Sequence, residues 1–165
     1  MSLHKAITPS LLAVSLLALA ACKPQPPAKA PEAAVTMPTD AEAAAIVDKA
    51  EGQWTSADTA KIMSAYKEGA VMFDIVAPSP STDRATQNKW TDGFTAMKLT
   101  ENNIADKHVQ VLDADTIVAS GIATLKSGAE GEPISFRYTD VYEKQPDGTW
   151  MIVHEHLSTP PAAAG

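Results

Sequence analysis

Several residues have types and spacings that could do chemistry. Asp74 closes a short apolar run, Ala70-Val71-Met72-Phe73, and leads into a Pro- and Ser-rich stretch. Asp140 stands among aromatic residues, with Phe136 and Tyr138 before it and Tyr142 after it. A carboxylate facing an apolar pocket has its charged form disfavoured. Its pKa rises, and near neutral pH it can take up a proton or keep one and donate a hydrogen bond. His154-x-His156 would leave a strand with both rings on one side, a metal pair if His108, Glu155 or Asp140 supplied a third ligand. No longer ligand signature follows, so no metal and no cofactor is assigned. Ser158 and His156 lack the acid and the oxyanion hole that a nucleophilic triad needs.

Each of these residues also has a structural reading. An Asp at the end of a strand is a common turn former. Asp140 could hold a structural hydrogen bond. Tyr66 shares helical spacing with Ile62 and Met63, which places it in a core, and Trp90 and Phe94 also share a helix face.

The elements that must position these groups are legible in part. Thr39-Asp40-Ala41-Glu42 is a capping-box pattern and starts a helix. Ala43, Ile46, Val47, Ala50 and Trp54 then form one apolar face. Ser56 and Asp58 start a second helix, which is expected to run past Tyr66 and stop at Gly69. Ala70 to Asp74 reads as a short strand. A third helix starts at Thr82 or Asp83 and carries Trp90, Phe94 and Met97 on one side. Strands follow at His108 to Leu112, Thr116 to Lys126, Arg137 to Lys144 and Thr149 to Ser158, the last two joined by a Pro146-Asp147-Gly148 turn. Leu99 to Ile104 is a weak strand candidate. Helices first and an antiparallel sheet afterwards mean an α+β fold.

Parity along the closing strands sets what a pocket could contain. Phe136, Tyr138, Asp140 and Tyr142 share one face. On the neighbouring strand Trp150, Ile152, His154 and His156 would share a face, opposite Met151, Val153, Glu155 and Leu157. The register between the strands decides whether the two His or Glu155 joins Asp140.

The 165 residues carry a 45% hydrophobic fraction, enough for one packed domain, expected over residues 39–158. The net charge of -7 and the absence of a basic run exclude a nucleic-acid partner.

The closing hairpin has the pattern Arg137-x-Thr139, then Asp147-Gly148-x-Trp150-x-Ile152-Val153-His154-x-His156-x-Ser158. It resembles the last hairpin of SnoaL-like proteins, in the nuclear transport factor 2-like superfamily. The resemblance implies a cone-shaped, curved antiparallel sheet wrapped around N-terminal helices. The same fold serves isomerases, cyclases, dehydratases and plain binding or assembly modules, so function must come from the site.

Tyr66 to Pro80 resembles the stretch around the catalytic base of ketosteroid isomerases in that superfamily. By that resemblance Asp74 is the base, and Asp140 followed by Val141 is similar to the protonated Asp of the isomerase oxyanion hole. Ala50 stands where those isomerases carry the oxyanion-hole Tyr, with Trp54 a turn later. Loss of that phenol costs transition-state stabilisation, so steroid isomerase activity is not expected. The pocket would be lined by Tyr66, Phe73, Trp90, Phe136, Tyr138, His154 and His156. The first expectation is a module that binds a small apolar or aromatic molecule. The others are an isomerase- or cyclase-type enzyme and a sheet-mediated assembly module. Members of the superfamily commonly dimerise through the sheet, so a homodimer is expected.

Residues 1–22 read as a targeting segment. A weakly basic start, His4 and Lys5, precedes an apolar stretch shorter than the ~18 residues of a spanning helix. It ends in Leu19-Ala20-Ala21-Cys22, which resembles the bacterial lipoprotein processing box and makes Cys22 the lipidation site. Lys23 follows instead of Asp, so the inner-membrane retention signal is missing and an outer-membrane anchor facing the periplasm is expected. The membrane is met through that anchor alone. Residues 23–38, with Pro24, Pro26, Pro27, Pro31 and Pro38, are a semi-rigid tether. Residues 159–165 read as a loose tail.

Overall fold

Thr39 caps the first helix with a complete capping box. Its hydroxyl accepts from the Glu42 amide at 3.3 Å, and the Glu42 carboxylate accepts from the Thr39 amide at 2.8 Å. The computed structural model describes residues 36–128 and 130–161, within a compact unit spanning 34–165. The expected targeting segment with Cys22, the expected tether up to residue 35 and the expected tail beyond residue 161 lie outside the described residues. Thr36 to Pro38 carry no regular structure.

Three helices and five strands follow in the order α1 (Asp40–Glu51), α2 (Thr59–Met63), β1 (Tyr66–Phe73), α3 (Arg84–Ala96), β2 (Glu101–Val111), β3 (Thr116–Lys126), β4 (Ile134–Lys144) and β5 (Trp150–Ser158). The sheet order is β1-β5-β4-β3-β2. Strands β2 to β5 form an antiparallel meander, and β1 joins the open edge of β5 in parallel. The fold is α+β, a curved and unclosed sheet with its helices on one face. Helix α1 packs on β2, α2 on α3, and α3 on β1. The core lies between them and includes Val47, Trp54, Ile62, Met72, Ile117, Leu125, Phe136, Tyr138, Tyr142 and Ile152.

Two elements differ from the sequence reading. Helix α2 ends at Met63 with Ser64 as its C-cap, and Tyr66 already begins a strand. Gly69 therefore does not stop a helix. It adopts φ +77 inside β1, where the pairing with β5 jumps from Tyr66↔Ile152 to Val71↔His154. Parallel pairing with β5 outweighs the helical spacing of Ile62, Met63 and Tyr66. The weak Leu99 to Ile104 candidate is, from Glu101 on, the start of a full strand, β2. Its alternation is hidden because the register slips between Ala105 and His108, at Asp106 with φ 49.

Candidate functional site

A bulge in β5 decides what faces the core. Tyr142 pairs with Ile152, yet Val141 pairs with His154, so Val153 is an extra residue. An extra residue exchanges the two faces of everything after it. Ile152 and Glu155 both point inward, and His154 and His156 turn to the outer face. There their rings lie 6.1 and 5.2 Å from that of Phe73, which alternates with the inward Met72. Three residues expected in the pocket, Phe73, His154 and His156, thus sit together on the opposite side of the sheet.

The pocket opens between the α2–α3 pair and the β1–β5 edge. Trp54, Ile62, Met72, Phe94, Phe136 and Leu157 form its apolar wall, and Tyr66, Asp74, Thr91 and Glu155 supply its polar groups. Tyr66, Asp74 and Phe136 are among the lining residues. Trp90 is half-buried against the core, and Phe94, one turn on, lines the pocket in its place. Tyr138 lies behind Trp54, with ring centroids 5.1 Å apart and planes near perpendicular. Trp54 also meets Phe136 at 5.8 Å. The free cavity is about 40 Å³. A dry cavity that admits benzene measures about 150 Å³, so the space accepts a few waters or a small head group, and an aromatic ring enters only if Trp54 or Phe94 yields.

The polar floor is the buried Glu155 carboxyl with the Tyr66 hydroxyl beside it. Glu155 is 3% exposed and accepts a 2.5 Å hydrogen bond from the Tyr66 hydroxyl. Burial pushes the Glu155 carboxyl up to about 7. The Tyr66 bond works against that rise, and the nearby Asp74 carboxylate adds to it. Tyr66 is itself held well above the usual phenol range, by burial first and by Glu155 second. Asp74 sits at the mouth. Its Oδ1 accepts from the Val76 amide at 2.9 Å, so it serves as a turn former and lines the pocket at once.

Asp140 is fully buried and lies behind Glu155, outside the pocket wall. Burial, then the Glu155 and Glu51 carboxylates, raise its pKa well above the carboxylate range. Its charged form is therefore disfavoured. Its Oδ1 has no hydrogen-bond partner, and the Tyr142 hydroxyl lies a long 3.5 Å from its Oδ2.

A third buried acid, Glu51, was not singled out by the sequence reading. It accepts from Tyr138 at 2.5 Å and from the Lys107 ammonium at 2.9 Å, and Lys107 also pairs with Asp48. The slip in β2 turns Lys107 toward α1. The signal was present in the spacing, because Glu51 follows Ala43 and Val47 at i+8 and i+4 on the apolar stripe. Among the described residues no three His, Cys, Asp or Glu side chains converge as a metal site.

Residues 44–163 match the family described as the SnoaL-like domain. Nothing matches among curated proteins. Among solved structures, a candidate calcium/calmodulin-dependent protein kinase II association domain from Xanthomonas campestris is 26% identical, with a TM-score of 0.66 over 78% of this chain and 94% of that one. A nuclear transport factor 2-like protein from Pseudomonas putida is 21% identical (TM-score 0.63, covering 78% and 92%). A candidate ketosteroid isomerase from Parabacteroides distasonis is 16% identical (TM-score 0.61, covering 81% and 96%). The last two likenesses are of fold. The match over most of the described residues, on a curved sheet closed by the predicted hairpin, makes this chain a member of the SnoaL-like domain family.

Proposed function

We propose that the chain is a lipid-anchored envelope protein whose SnoaL-like domain binds a small apolar or aromatic molecule in the pocket beside Trp54. The supporting observation is the pocket itself: an apolar wall of Trp54, Phe94, Phe136 and Leu157 with a few polar groups converging on Glu155. That composition is typical of small-molecule sites. The test is a thermal-shift screen of the full chain with small planar apolar molecules and phenols. A ligand at a hundredfold excess over its Kd stabilises the native state by about 2.7 kcal/mol. A panel that leaves the melting temperature unmoved would sink the reading.

The anchor rests on Leu19-Ala20-Ala21-Cys22 alone, and with it the outer-membrane, periplasm-facing location. Palmitate labelling that persists in Cys22→Ser would reject it.

A second reading, an isomerase- or cyclase-type enzyme, is favoured by one observation. Glu155, raised to about 7, and Asp74 share one pocket, as proton transfer near neutral pH requires. Asp74 would remain the base of that scheme or pass the role to Glu155, and Asp140 would act through Glu155. Turnover unchanged by both Asp74→Asn and Glu155→Gln would exclude it. A third reading draws on the Xanthomonas protein, which is named as an association domain. Self-pairing through the outer sheet face would give the expected homodimer, and a molar mass that stays monomeric at high concentration would argue against it.

A further inference from the structure

We infer that the pocket selects an organic cation: a small amine or quaternary ammonium carrying an apolar or aromatic body. The inference rests on the pocket reading above and names the ligand class of that site. Its ground is the charge of the lining. Two carboxyl groups, Asp74 and Glu155, face the cavity, and no Lys, Arg or His lines it. The cations nearest in the fold are committed elsewhere. Lys107 is held by Asp48 and Glu51, and Lys67 by Glu143. Arg84 pairs with Glu68 and donates to the Tyr66 and Lys67 carbonyls. His154 and His156 flank Glu155 in sequence, yet their rings leave the sheet on the far side, against Phe73.

The wall adds to the preference independently of the acids. Trp54, Tyr66, Phe94 and Phe136 surround the space, and aromatic faces attract ammonium groups electrostatically. Phe94 belongs to the last turn of α3, the end at which the helix dipole places partial negative charge. Behind Glu155 the Asp140 Oδ1 has no partner. An anionic ligand would meet two like charges, and the same ring bearing an ammonium would meet none. The cavity of about 40 Å³ suits the head group, and the body follows as Trp54 or Phe94 gives way.

The groups facing Glu155 are Tyr66 on β1, Asp74 just beyond it, and Asp140 and Tyr142 on β4; α2 and α3 present Ile62, Thr91 and Phe94, which do not titrate. A cation binds best when Glu155 is ionised. Its carboxyl titrates near 7, so the ionised fraction rises about tenfold between pH 6 and pH 8.

The test is calorimetric titration of the full chain with benzylamine, benzyl alcohol and benzoate at both pH values. Benzylamine stays protonated throughout, as an alkyl ammonium does. The expected result is that benzylamine binds at least about tenfold more tightly than benzyl alcohol at pH 8, that benzoate does not bind, and that the amine's advantage shrinks about tenfold at pH 6. Glu155→Gln should remove the advantage and keep the alcohol. If that variant does not fold, the wild-type pH series and Asp74→Asn decide. Alcohol or benzoate binding as tightly as the amine would overturn the inference and leave the pocket reading intact. Amine binding that ignores both pH and the acid variants would also overturn it. Failure of all three probes would overturn both readings together.

Discussion

Asp140 on β4 and Glu155 on β5 are direct Cα partners, and both side chains point into the core. Two carboxyls on adjacent strands, out of water, cannot both ionise without large repulsion. The pair therefore titrates as a unit, with both carboxyls raised, Asp140 well above the carboxylate range and Glu155 to about 7. The bulge at Val153 creates this opposition. Without it His154 would face inward one step away, and the outer sheet face would carry the acid.

The pair should make the protein less stable as pH rises from weakly acid to neutral. Glu155 has a folded pKa of about 7 against 4.5 for the free group, so the folded state holds a proton that the unfolded chain has lost. Stability present below 4.5 is given up through 7, by roughly 3 kcal/mol if the full shift is realised. Asp140 acts in the same direction. Glu42, Asp83, Asp113 and Asp147 have lowered pKa values and act oppositely, losing stability below about 4. Urea unfolding at unit steps from pH 4 to pH 8 should give a maximum near pH 5. The decline above it should flatten in Glu155→Gln. A stability that climbs steadily to pH 8 would contradict the protonated pair.

Tyr66→Phe isolates the hydrogen bond from the burial. The hydroxyl donates to Glu155 at 2.5 Å and favours its charged form. Without it the Glu155 pKa should rise above 7, and the pH at which stability levels off should move upward with it. The bond itself is worth about 1.5–3 kcal/mol when its acceptor is charged. Loss of stability should therefore be larger at pH 8, where Glu155 is ionised, than at pH 5. Equal loss at both pH values would mean that the phenol packs but does not tune the acid.

The sequence showed what is local and hid what pairing decides. Thr39, Asp58 and Asp83 each cap a helix within two or three residues of themselves, so their roles were readable from spacing. The closing hairpin was readable from Asp147-Gly148, and Gly148 indeed takes φ +85. The bulges at Val153 and beside Asp106 were not readable, because an extra residue in a strand is fixed by its neighbour's register. Each reverses an alternation. One moved His154 and His156 out of the pocket, and the other brought Lys107 to Glu51. Tyr66 was misplaced for a related reason: its spacing from Ile62 and Met63 fits a helix, while its partner Ile152 is distant in sequence.

Two glycine substitutions should have opposite signs. A Cβ on Gly121 would come within 2.9 Å of the Tyr138 ring and 3.2 Å of the Ala105 carbonyl. Tyr138 cannot retreat freely, because its hydroxyl is bonded to Glu51 and its ring lies against Trp54. Gly121→Ala should cost about 1–3 kcal/mol by overpacking. Gly93 lies in α3 with nothing within 4 Å of its missing Cβ. Gly93→Ala should stabilise by about 0.5–1 kcal/mol through helix propensity. Urea midpoints of the two variants should bracket the parent. A neutral Gly121→Ala would mean that the Tyr138–Glu51 bond does not hold the ring in place.

Trp54 is the residue that keeps the pocket small. It is 5% exposed, closes on Phe136 and Tyr138, and stands in the turn between α1 and α2, its amide donating to the Glu51 carbonyl at 3.1 Å. Trp54→Ala should lose about 3–5 kcal/mol, the cost of a large aromatic removed from a core. It should also leave a cavity large enough for a benzene-sized molecule. Benzene or toluene should then raise the melting temperature of Trp54→Ala by more than that of the parent, because only the variant has space without rearrangement. Equal stabilisation of both proteins would show that Trp54 already swings aside in solution, and that the pocket admits a ring at little cost. A variant that is destabilised yet takes up no apolar ligand would show that Phe94 and Leu157 collapse into the space, and that Trp54 supports the walls instead of filling the pocket.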